Sequence, residues 1–180
     1  PPTLSLSSDT DVSQTCTTHS LPPSTFHALV SAAVSAKSRS YSPYSSFRVG
    51  CALLLSSPSS SDISSQIITG ANVENASYPV TTCAERVALQ TAVVAGHRGF
   101  RAVAVATDTA TPASPCGMCR QGLREFVGLE VPVVMVDGAG GYVVMTLGEL
   151  LPLSFGPEAL GVTAEMGGKL RGVGEGVERS

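Results

Sequence analysis

The sequence predicts a three-layer α/β/α fold, a single domain in which helices cover both faces of a mixed sheet of about five strands. Strand and helix patterns alternate after Thr82, as they do in domains that stack helices on a sheet. Residues 101–107 are apolar almost without a break, which is typical of a strand buried on both faces. A chain of 180 residues that is 43% hydrophobic suits one full core and is short for two.

The first elements in the chain are a helix and a β-hairpin. Apolar side chains recur at helical spacing in residues 25–37, which predicts the first helix. Residues 47–55 and 67–73 are rich in β-forming residues. The Ser-rich segment 56–65 lies between them, so we expect a hairpin with a long solvated connection.

The second half of the chain alternates helices and strands. In chain order the predicted elements are helix 83–94, strand 101–107, helix 116–126, strands 131–136 and 142–145, and a short helix 147–150 capped by Thr146. Thr82 is the predicted cap of the first of these helices, and Gly96 ends it. Pro115 fits the first turn of the second, because a helix does not need the missing N–H there.

Both ends of the chain have compositions that disfavour packing. Residues 1–24 are rich in Ser, Thr and Pro with almost no apolar periodicity, so we expect a flexible N-terminal arm. Residues 161–180 are Gly-rich and weakly patterned, and we expect a flexible C-terminal tail. The folded domain is therefore expected to occupy residues 25–160.

Charge and composition exclude several classes of partner. The net charge is -3 and the eleven basic residues are scattered, so neither nucleic acid nor a membrane surface is an expected partner. The sequence contains neither an apolar run of about 18 residues nor a secretion signal near its start. Five cysteines, an odd number, argue against a disulfide framework and for a reducing compartment, so we expect the cytoplasm.

Three cysteines and one glutamate form the most informative pattern. Cys83 precedes Glu85 by two residues, and Cys116 and Cys119 follow Pro115 in a Pro-Cys-x-x-Cys motif. Cys116 and Cys119 share a face of one predicted helix, and Cys83 lies at the first turn of another. Positive helix ends stabilise thiolates at these positions. Three thiolate ligands leave a tetrahedral zinc one open position, which is the requirement for a catalytic zinc.

Each part of this pattern has another interpretation. Glu85 lies three residues after Thr82 and can be half of a capping box, while Cys116 and Cys119 alone can be a redox dithiol. A closed structural zinc site would need a fourth ligand, for which the candidates are Cys16, Cys51, His19, His27 and His97. The ordered set is far rarer by chance than any of its parts, so we favour the catalytic zinc.

Arg86 is a candidate for tuning such a metal. Three thiolates give a bound Zn²⁺ a formal charge of -1, which weakens its Lewis acidity. Arg86 directly follows Glu85 and can reach back to the sulfurs as a hydrogen-bond donor.

These residues resemble the cytidine deaminase family in its three-cysteine form. Residues 41–50 resemble the segment that enters the first strand of the family, and residues 70–79 resemble its ribose-binding segment. The similarity continues over residues 114–125, 149–152 and 155–158. It covers about residues 25–160 and leaves out both ends of the chain.

The resemblance implies hydrolytic deamination of cytidine, and also of deoxycytidine, in pyrimidine salvage. It implies Zn²⁺ held by Cys83, Cys116 and Cys119, with Glu85 as the group that moves protons. A deaminase of another aminopyrimidine, such as blasticidin S or a nucleic-acid base, would use the same chemistry and is an alternative. A non-enzymatic zinc or redox-thiol protein is an alternative of a different class.

The resemblance also implies a homotetramer with active sites shared between subunits. By this resemblance, Phe47 and Phe155 stack on the pyrimidine. Asn72 and Glu74 hydrogen-bond the ribose hydroxyl groups, and Ala76 and Tyr78 line the pocket wall that two subunits share. Phe155 is implied to reach in from a neighbouring subunit. Core packing is the alternative role for Phe47.

Overall fold

A computed structural model of the chain describes residues 1–57 and 61–161. Within these residues six strands form one mixed sheet in the order β1-β6-β5-β4-β2-β3, the strands being Leu4–Ser5 (β1), Val49–Leu55 (β2), Ile67–Ala71 (β3), Phe100–Thr107 (β4), Pro132–Val136 (β5) and Gly141–Thr146 (β6). The five α-helices of the same residues are Asp9–Thr18 (α1), Pro23–Ala36 (α2), Ala84–Val94 (α3), Gly117–Arg124 (α4) and Leu147–Leu150 (α5). The predicted three-layer α/β/α fold is confirmed, with one strand more than expected.

The sheet is parallel at its centre and antiparallel elsewhere. β4 and β5 run parallel, with Val103 opposite Val133. β2 pairs antiparallel with both β3 and β4, so the predicted hairpin is confirmed as β2 and β3. β5 and β6 form a second antiparallel pair.

Alternate side chains of the central strands enter two separate cores. One core lies between the sheet and helices α3, α4 and α5, and includes Val103 and Leu123. The other lies between the sheet and helices α1 and α2, and includes Phe26 and Tyr142. Strands buried on both faces read as continuous apolar runs, which explains the composition of β4. Each fully buried Leu or Phe contributes about 1.5–3 kcal/mol to folding.

Residues 1–24 do not form the flexible arm that their composition predicts. β1 pairs antiparallel with β6 and adds the sixth strand at the edge of the sheet. The helix α1 follows, with Ser8 as its N-cap, whose hydroxyl accepts a hydrogen bond from the backbone N–H of Asp11 at 3.2 Å. The expectation of an unstructured arm is therefore wrong for this part of the chain.

Tertiary contacts explain why the composition does not reveal α1. Its buried apolar side chains are Val12 and Cys16, and so short a stripe gives almost no periodic signal. A polar contact adds to them, since the hydroxyls of Thr15 and Tyr142 lie 2.9 Å apart in a buried position. Helices shorter than about 12 residues are marginal in isolation, so α1 depends on docking against the sheet.

The start positions of two helices differ from prediction by one or two residues, and these positions matter for the site. Cys83 is the N-cap of α3, so the predicted cap Thr82 lies just outside the helix. Cys116 is the N-cap of α4, so Pro115 precedes the cap instead of occupying the first turn. Thr146 caps α5, as the sequence predicts, and forms a capping box with Glu149.

Two predicted irregular segments fall wholly or partly outside the described residues. These are the C-terminal tail from residue 162 onward and residues 58–60 of the link between β2 and β3. None of the helices in residues 1–57 and 61–161 combines the length and apolar character needed to cross a bilayer.

Gly70 on β3 allows the sheet to contact the backbone of α3. A Cβ atom at this position would lie 2.6 Å from the carbonyl oxygen of Ala84 and closer still to the amide nitrogen of Ala88. We therefore expect Gly70→Ala to lower the free energy of unfolding by about 2–3 kcal/mol, because helix backbone cannot yield locally as a flexible side chain can. Urea unfolding measures this change.

Gly122 on α4 provides the matched control for that substitution. A Cβ atom there would lie no nearer than 4.0 Å to any neighbour, the closest being Leu89 Cδ2. Gly122→Ala is expected to raise the free energy of unfolding by about 0.5–1 kcal/mol through helix propensity. Equal stability of Gly70→Ala and the unsubstituted protein would contradict the close approach of β3 and α3.

Candidate active site

Three cysteine sulfurs converge where the N-termini of α3 and α4 meet. Cys83 and Cys116 are the N-caps of the two helices, and Cys119 is the third residue of α4. The Sγ atom of Cys116 lies 3.9 Å from that of Cys83 and 3.5 Å from that of Cys119. All three sulfurs lie within 4.8 Å of one another. Cys119 is buried, Cys83 is half-buried and Cys116 is exposed, so the cluster faces solvent on one side.

The spacing of these sulfurs fits a zinc ion. Thiolates at about 2.3 Å from a tetrahedral zinc lie about 3.8 Å from one another, close to the separations measured here. In the part of the chain that the structure describes, no fourth His, Cys, Asp or Glu joins the cluster. None of the five candidates for a closed structural site therefore completes one. The third sulfur, that of Cys83, also distinguishes the cluster from a simple redox dithiol.

The guanidinium group of Arg86 lies close to the thiol of Cys83. Arg86 Nη2 lies 3.9 Å from Cys83 Sγ and donates a hydrogen bond to the carbonyl oxygen of Thr81 at 2.9 Å. Hydrogen bonds from Cys119, Arg86 and Cys116 lower the pKa of Cys83 to about 5 against the opposing effect of burial. The pKa of Cys119 is raised, chiefly because its thiol hydrogen-bonds to the Cys83 thiolate and because it is buried. Thiolate character thus concentrates at the N-terminus of α3.

Glu85 places a buried carboxyl group beside the sulfurs. It lies in the first turn of α3 and is 4% exposed. Burial raises the pKa of its carboxyl group, and the charge of Cys83 acts in the same direction. Cys83 is the N-cap and makes no side-chain cap hydrogen bond, so the alternative capping box between Thr82 and Glu85 is wrong. The carboxyl group instead hydrogen-bonds to its own backbone N–H and to Cys119, and both bonds lower its pKa against the larger effect of burial.

Arg120 fixes the loop that leads into Cys116, a role that the sequence does not reveal. Its Nε donates to the carbonyl oxygen of Pro115 at 2.8 Å, and Nη2 donates to the hydroxyl of Ser114 at 2.8 Å. Nη1 donates to the carbonyl oxygen of Leu150 at 2.7 Å. The planar guanidinium thus ties the cysteine loop to the end of α5.

A cavity of about 250 Å³ opens at the segment that leads into Cys83. It is lined by Tyr44, Ser45, Glu74, Tyr78 and Thr81. The sequence singles out Glu74 and Tyr78, but assigns no individual role to the other three. Glu74 accepts hydrogen bonds from the hydroxyl of Ser45 and from the backbone N–H groups of Tyr44 and Ser45, the latter two at 2.9 and 3.3 Å. These bonds, led by that of the Ser45 hydroxyl, lower the pKa of Glu74 and keep it ionised.

Asn72 is buried and holds the backbone of the segment that carries Phe47. Its Nδ2 donates to the carbonyl oxygen of Phe47 at 2.8 Å. Its Oδ1 accepts from the backbone N–H of Val49 at 2.8 Å and from the hydroxyl of Ser40 at 2.6 Å. An amide nitrogen carries two hydrogens, and within residues 1–57 and 61–161 only one of those on Nδ2 has a partner. Phe47 is 40% exposed, which does not fit the alternative of core packing.

The other predicted substrate-binding residues lie on the surface. Ala76 and Tyr78 are exposed on the segment between β3 and α3. Phe155 is 61% exposed and is not among the residues that line the cavity. The structure thus brings Glu74 and Tyr78 together in one cavity and leaves Phe155 outside it.

Comparison with known proteins gives the family of this chain. Residues 23–135 match the cytidine and deoxycytidylate deaminase zinc-binding region. A cytidine deaminase of Sporosarcina psychrophila is 41% identical over 137 residues, which are 76% of this chain and 96% of that protein. A cytidine deaminase of Halalkalibacterium halodurans is 42% identical over 130 residues, or 72% and 93% of the two chains.

Solved structures resemble this chain in fold as well as in sequence. The crystal structure of cytidine deaminase from Burkholderia pseudomallei has a TM-score of 0.65 and 42% identity, covering 72% of this chain and 98% of that one. That of Mycobacterium tuberculosis has a TM-score of 0.59 and 34% identity, covering 73% and 97%. Because the matched region contains all three clustered cysteines and spans most of the sheet, the chain belongs to the cytidine and deoxycytidylate deaminase family.

Proposed function

We propose that this chain is a zinc-dependent hydrolase that deaminates cytidine, and also deoxycytidine, to the uracil nucleoside and ammonia. The observation that carries the proposal is the cluster of three sulfurs with zinc-like spacing beside the buried carboxyl group of Glu85. Membership of the deaminase family supports the reaction, and the names of the similar proteins support cytidine as substrate.

Glu85 performs the proton transfers in this proposal. Cys83, Cys116 and Cys119 hold Zn²⁺, which when bound supplies the Lewis acidity that makes water a nucleophile near neutral pH. Glu85 accepts a proton as the water oxygen attacks C4 of the pyrimidine, and passes it to N3. It then carries the second proton of the water to the amino group, which leaves as ammonia. The carboxyl group lies next to the proposed metal ligands, since both Cys83 and Cys119 act on its pKa.

The proposed nucleoside site is the cavity beside the cluster. Thr81 lines this cavity, and its carbonyl oxygen accepts from Arg86, which also reaches Cys83, so the cavity and the sulfurs are neighbours. The ionised Glu74 and the remaining Nδ2 hydrogen of Asn72 supply an acceptor and a donor for ribose hydroxyl groups.

We propose that four copies of the chain associate and complete one another's sites. Large exposed aromatic side chains such as Tyr78 and Phe155 mark surfaces that associate. In this arrangement Phe47 and a neighbour's Phe155 stack on the pyrimidine, and Ala76 and Tyr78 line the shared wall. Sedimentation at the mass of one 18.4 kDa chain would contradict the assembly.

The cellular role follows from the substrate and the thiols. We propose pyrimidine salvage in the cytoplasm, and every proposed site residue lies within residues 25–160. All five cysteines are free thiols, which suits a reducing compartment. The net charge of -3 favours a free nucleoside over a polynucleotide. Cell fractionation tests the compartment.

One assay separates the candidate functions. Purified protein is incubated with cytidine, deoxycytidine, cytosine, CMP and blasticidin S, the loss of aminopyrimidine absorbance is followed, and zinc is measured in the same sample. We expect turnover of the two nucleosides by zinc-containing protein. Turnover of blasticidin S alone would identify a deaminase of another aminopyrimidine. Zinc binding without turnover of any substrate would identify a non-enzymatic zinc protein.

Arg86 is proposed to offset the negative charge of a zinc ion with three thiolate ligands. Its Nη2 lies 3.9 Å from Cys83 Sγ, and its buried Nε has no hydrogen-bond partner in residues 1–57 and 61–161. We expect Arg86→Gln to lower kcat by about 10- to 100-fold while zinc content stays near one per chain. Arg98→Gln, at an exposed position in the loop before β4, is the control and should leave kcat unchanged. Unchanged turnover in Arg86→Gln would remove Arg86 from the mechanism.

A further inference from the structure

Two side chains of α4 hold the backbone of the segment that carries Phe155. Gln121 Nε2 donates to the carbonyl oxygen of Phe155 at 3.0 Å. Arg124 Nε donates to the hydroxyl of Ser154 at 3.0 Å, and Arg124 Nη2 forms an ion pair with Glu158. The Arg124 side chain is buried although it is charged, and a buried arginine stays only where its donors are paired.

The segment packs against the Arg124 guanidinium at Gly156. Gly156 is buried there, and a Cβ atom at this position would overlap the guanidinium group. The neighbouring side chains Leu153 and Phe155 are exposed. Leu153 adopts φ 53°, in the left-handed region that a side chain of this kind adopts only when its surroundings enforce it. The backbone is therefore fixed while two large apolar side chains are presented outward.

We propose that Arg124 is a positioning residue that acts through Phe155, holding it in place to close the substrate site of a second copy of the chain. The inference rests on the proposed function, because it takes Phe155 as a stacking partner of the neighbour's pyrimidine. A side chain that is fixed before binding loses less conformational entropy when substrate arrives. Helix α4 thus carries Cys116 and Cys119 of its own site at one end and, at its last residue, the support for the neighbour's site.

The first test separates binding from chemistry. Arg124→Met, which keeps most of the side-chain volume, is expected to raise KM for cytidine about tenfold and to change kcat less than about threefold, because stacking stabilises bound substrate and transition state alike. Arg124→Lys keeps the charge opposite Glu158 but loses the planar, multiply donating guanidinium group. Its KM should therefore lie between those of the unsubstituted protein and Arg124→Met. Arg98→Met is the matched control and should match the unsubstituted protein. Loss of zinc or of kcat without a change in KM would overturn the proposal.

The second test asks whether Arg124 acts through Phe155. In a Phe155→Ala background, adding Arg124→Met should change KM by less than about twofold, because the group that it positions is already missing. A further tenfold rise in the double variant would show that Arg124 acts independently of Phe155, and would overturn the proposal.

The third test asks whether the action crosses between copies. Chains with Arg124→Met and intact Glu85 are co-expressed with differently tagged chains that carry Glu85→Gln and intact Arg124, and the mixed assemblies are isolated. We expect them to turn over cytidine with the KM of the unsubstituted protein, because a functional Glu85 then meets a correctly held Phe155 from the other chain. Retention of the raised KM would overturn the cross-subunit role.

The outcomes distinguish this inference from the proposed function. Absence of cytidine turnover in the unsubstituted, zinc-loaded protein would overturn both. Normal turnover of that protein together with an unchanged KM in Arg124→Met would overturn the inference alone.

Discussion

Glu85→Gln is expected to retain one zinc per chain and to lose about 10³- to 10⁴-fold in kcat with cytidine. Glutamine has nearly the size of glutamate and can still hydrogen-bond, but it can neither accept the proton of the attacking water nor deliver one to N3. The carboxyl group is 4% exposed beside the sulfurs, so solvent is poorly placed to substitute for it. Spectrophotometric turnover and metal analysis on the same sample measure both quantities.

The control for this substitution is a glutamate with a defined structural role. Glu149 accepts the backbone N–H of Thr146 in the capping box of α5, a position where glutamine serves equally well. Glu149→Gln should therefore keep kcat within about twofold of the unsubstituted protein. Substantial turnover by zinc-loaded Glu85→Gln would show that another group moves the protons.

Cys119→Ala is expected to abolish both zinc retention and turnover. Cys119 is fully buried with its Sγ 3.5 Å from that of Cys116, and without it the two remaining sulfurs cannot form a three-ligand site. After dialysis against a chelator we expect less than about a tenth of the zinc of the unsubstituted protein and a loss of at least about 10³-fold in kcat. Metal analysis and the cytidine assay measure the two effects.

Cys51 offers a matched control for the loss of a buried thiol. It is fully buried on β2 in the core next to α3, outside the sulfur cluster. Cys51→Ala should retain zinc and activity and lose only the small packing contribution of one sulfur atom. An active, zinc-loaded Cys119→Ala protein would mean that the cluster is not the catalytic metal site.

Elements with their own periodic pattern could be predicted from the sequence, whereas elements that depend on distant contacts could not. The strand predicted over residues 101–107 is observed as Phe100–Thr107, because burial on both faces leaves a continuous apolar run. Helix α1 gives no such pattern, since it is held partly by a hydroxyl contact between Thr15 and Tyr142, which are 127 positions apart. No local feature of residues 1–24 indicates that contact.

The candidate site divides in the same way. The short spacing of Cys116 and Cys119 predicts that they share one helix face, whereas the convergence of Cys83 with them could be predicted from the resemblance to the deaminase family. The bonds of Arg120 to the cysteine loop and to α5 could not, because they join segments that only the folded chain brings together. The roles of the substrate-binding residues, and of Glu85 itself, stay predictions until the substituted proteins are assayed.

The two-residue strand β1 affects whether the sheets of two copies of the chain can associate edge to edge. It occupies hydrogen-bonding groups of β6 that would otherwise offer a template for a foreign strand, and it is itself too short to offer a new one. Growth of the sheet from one molecule into the next is therefore hindered at the Gly141–Tyr142 end of β6, the part of that strand that β1 covers. Folded copies would then associate through contacts between side chains on their surfaces.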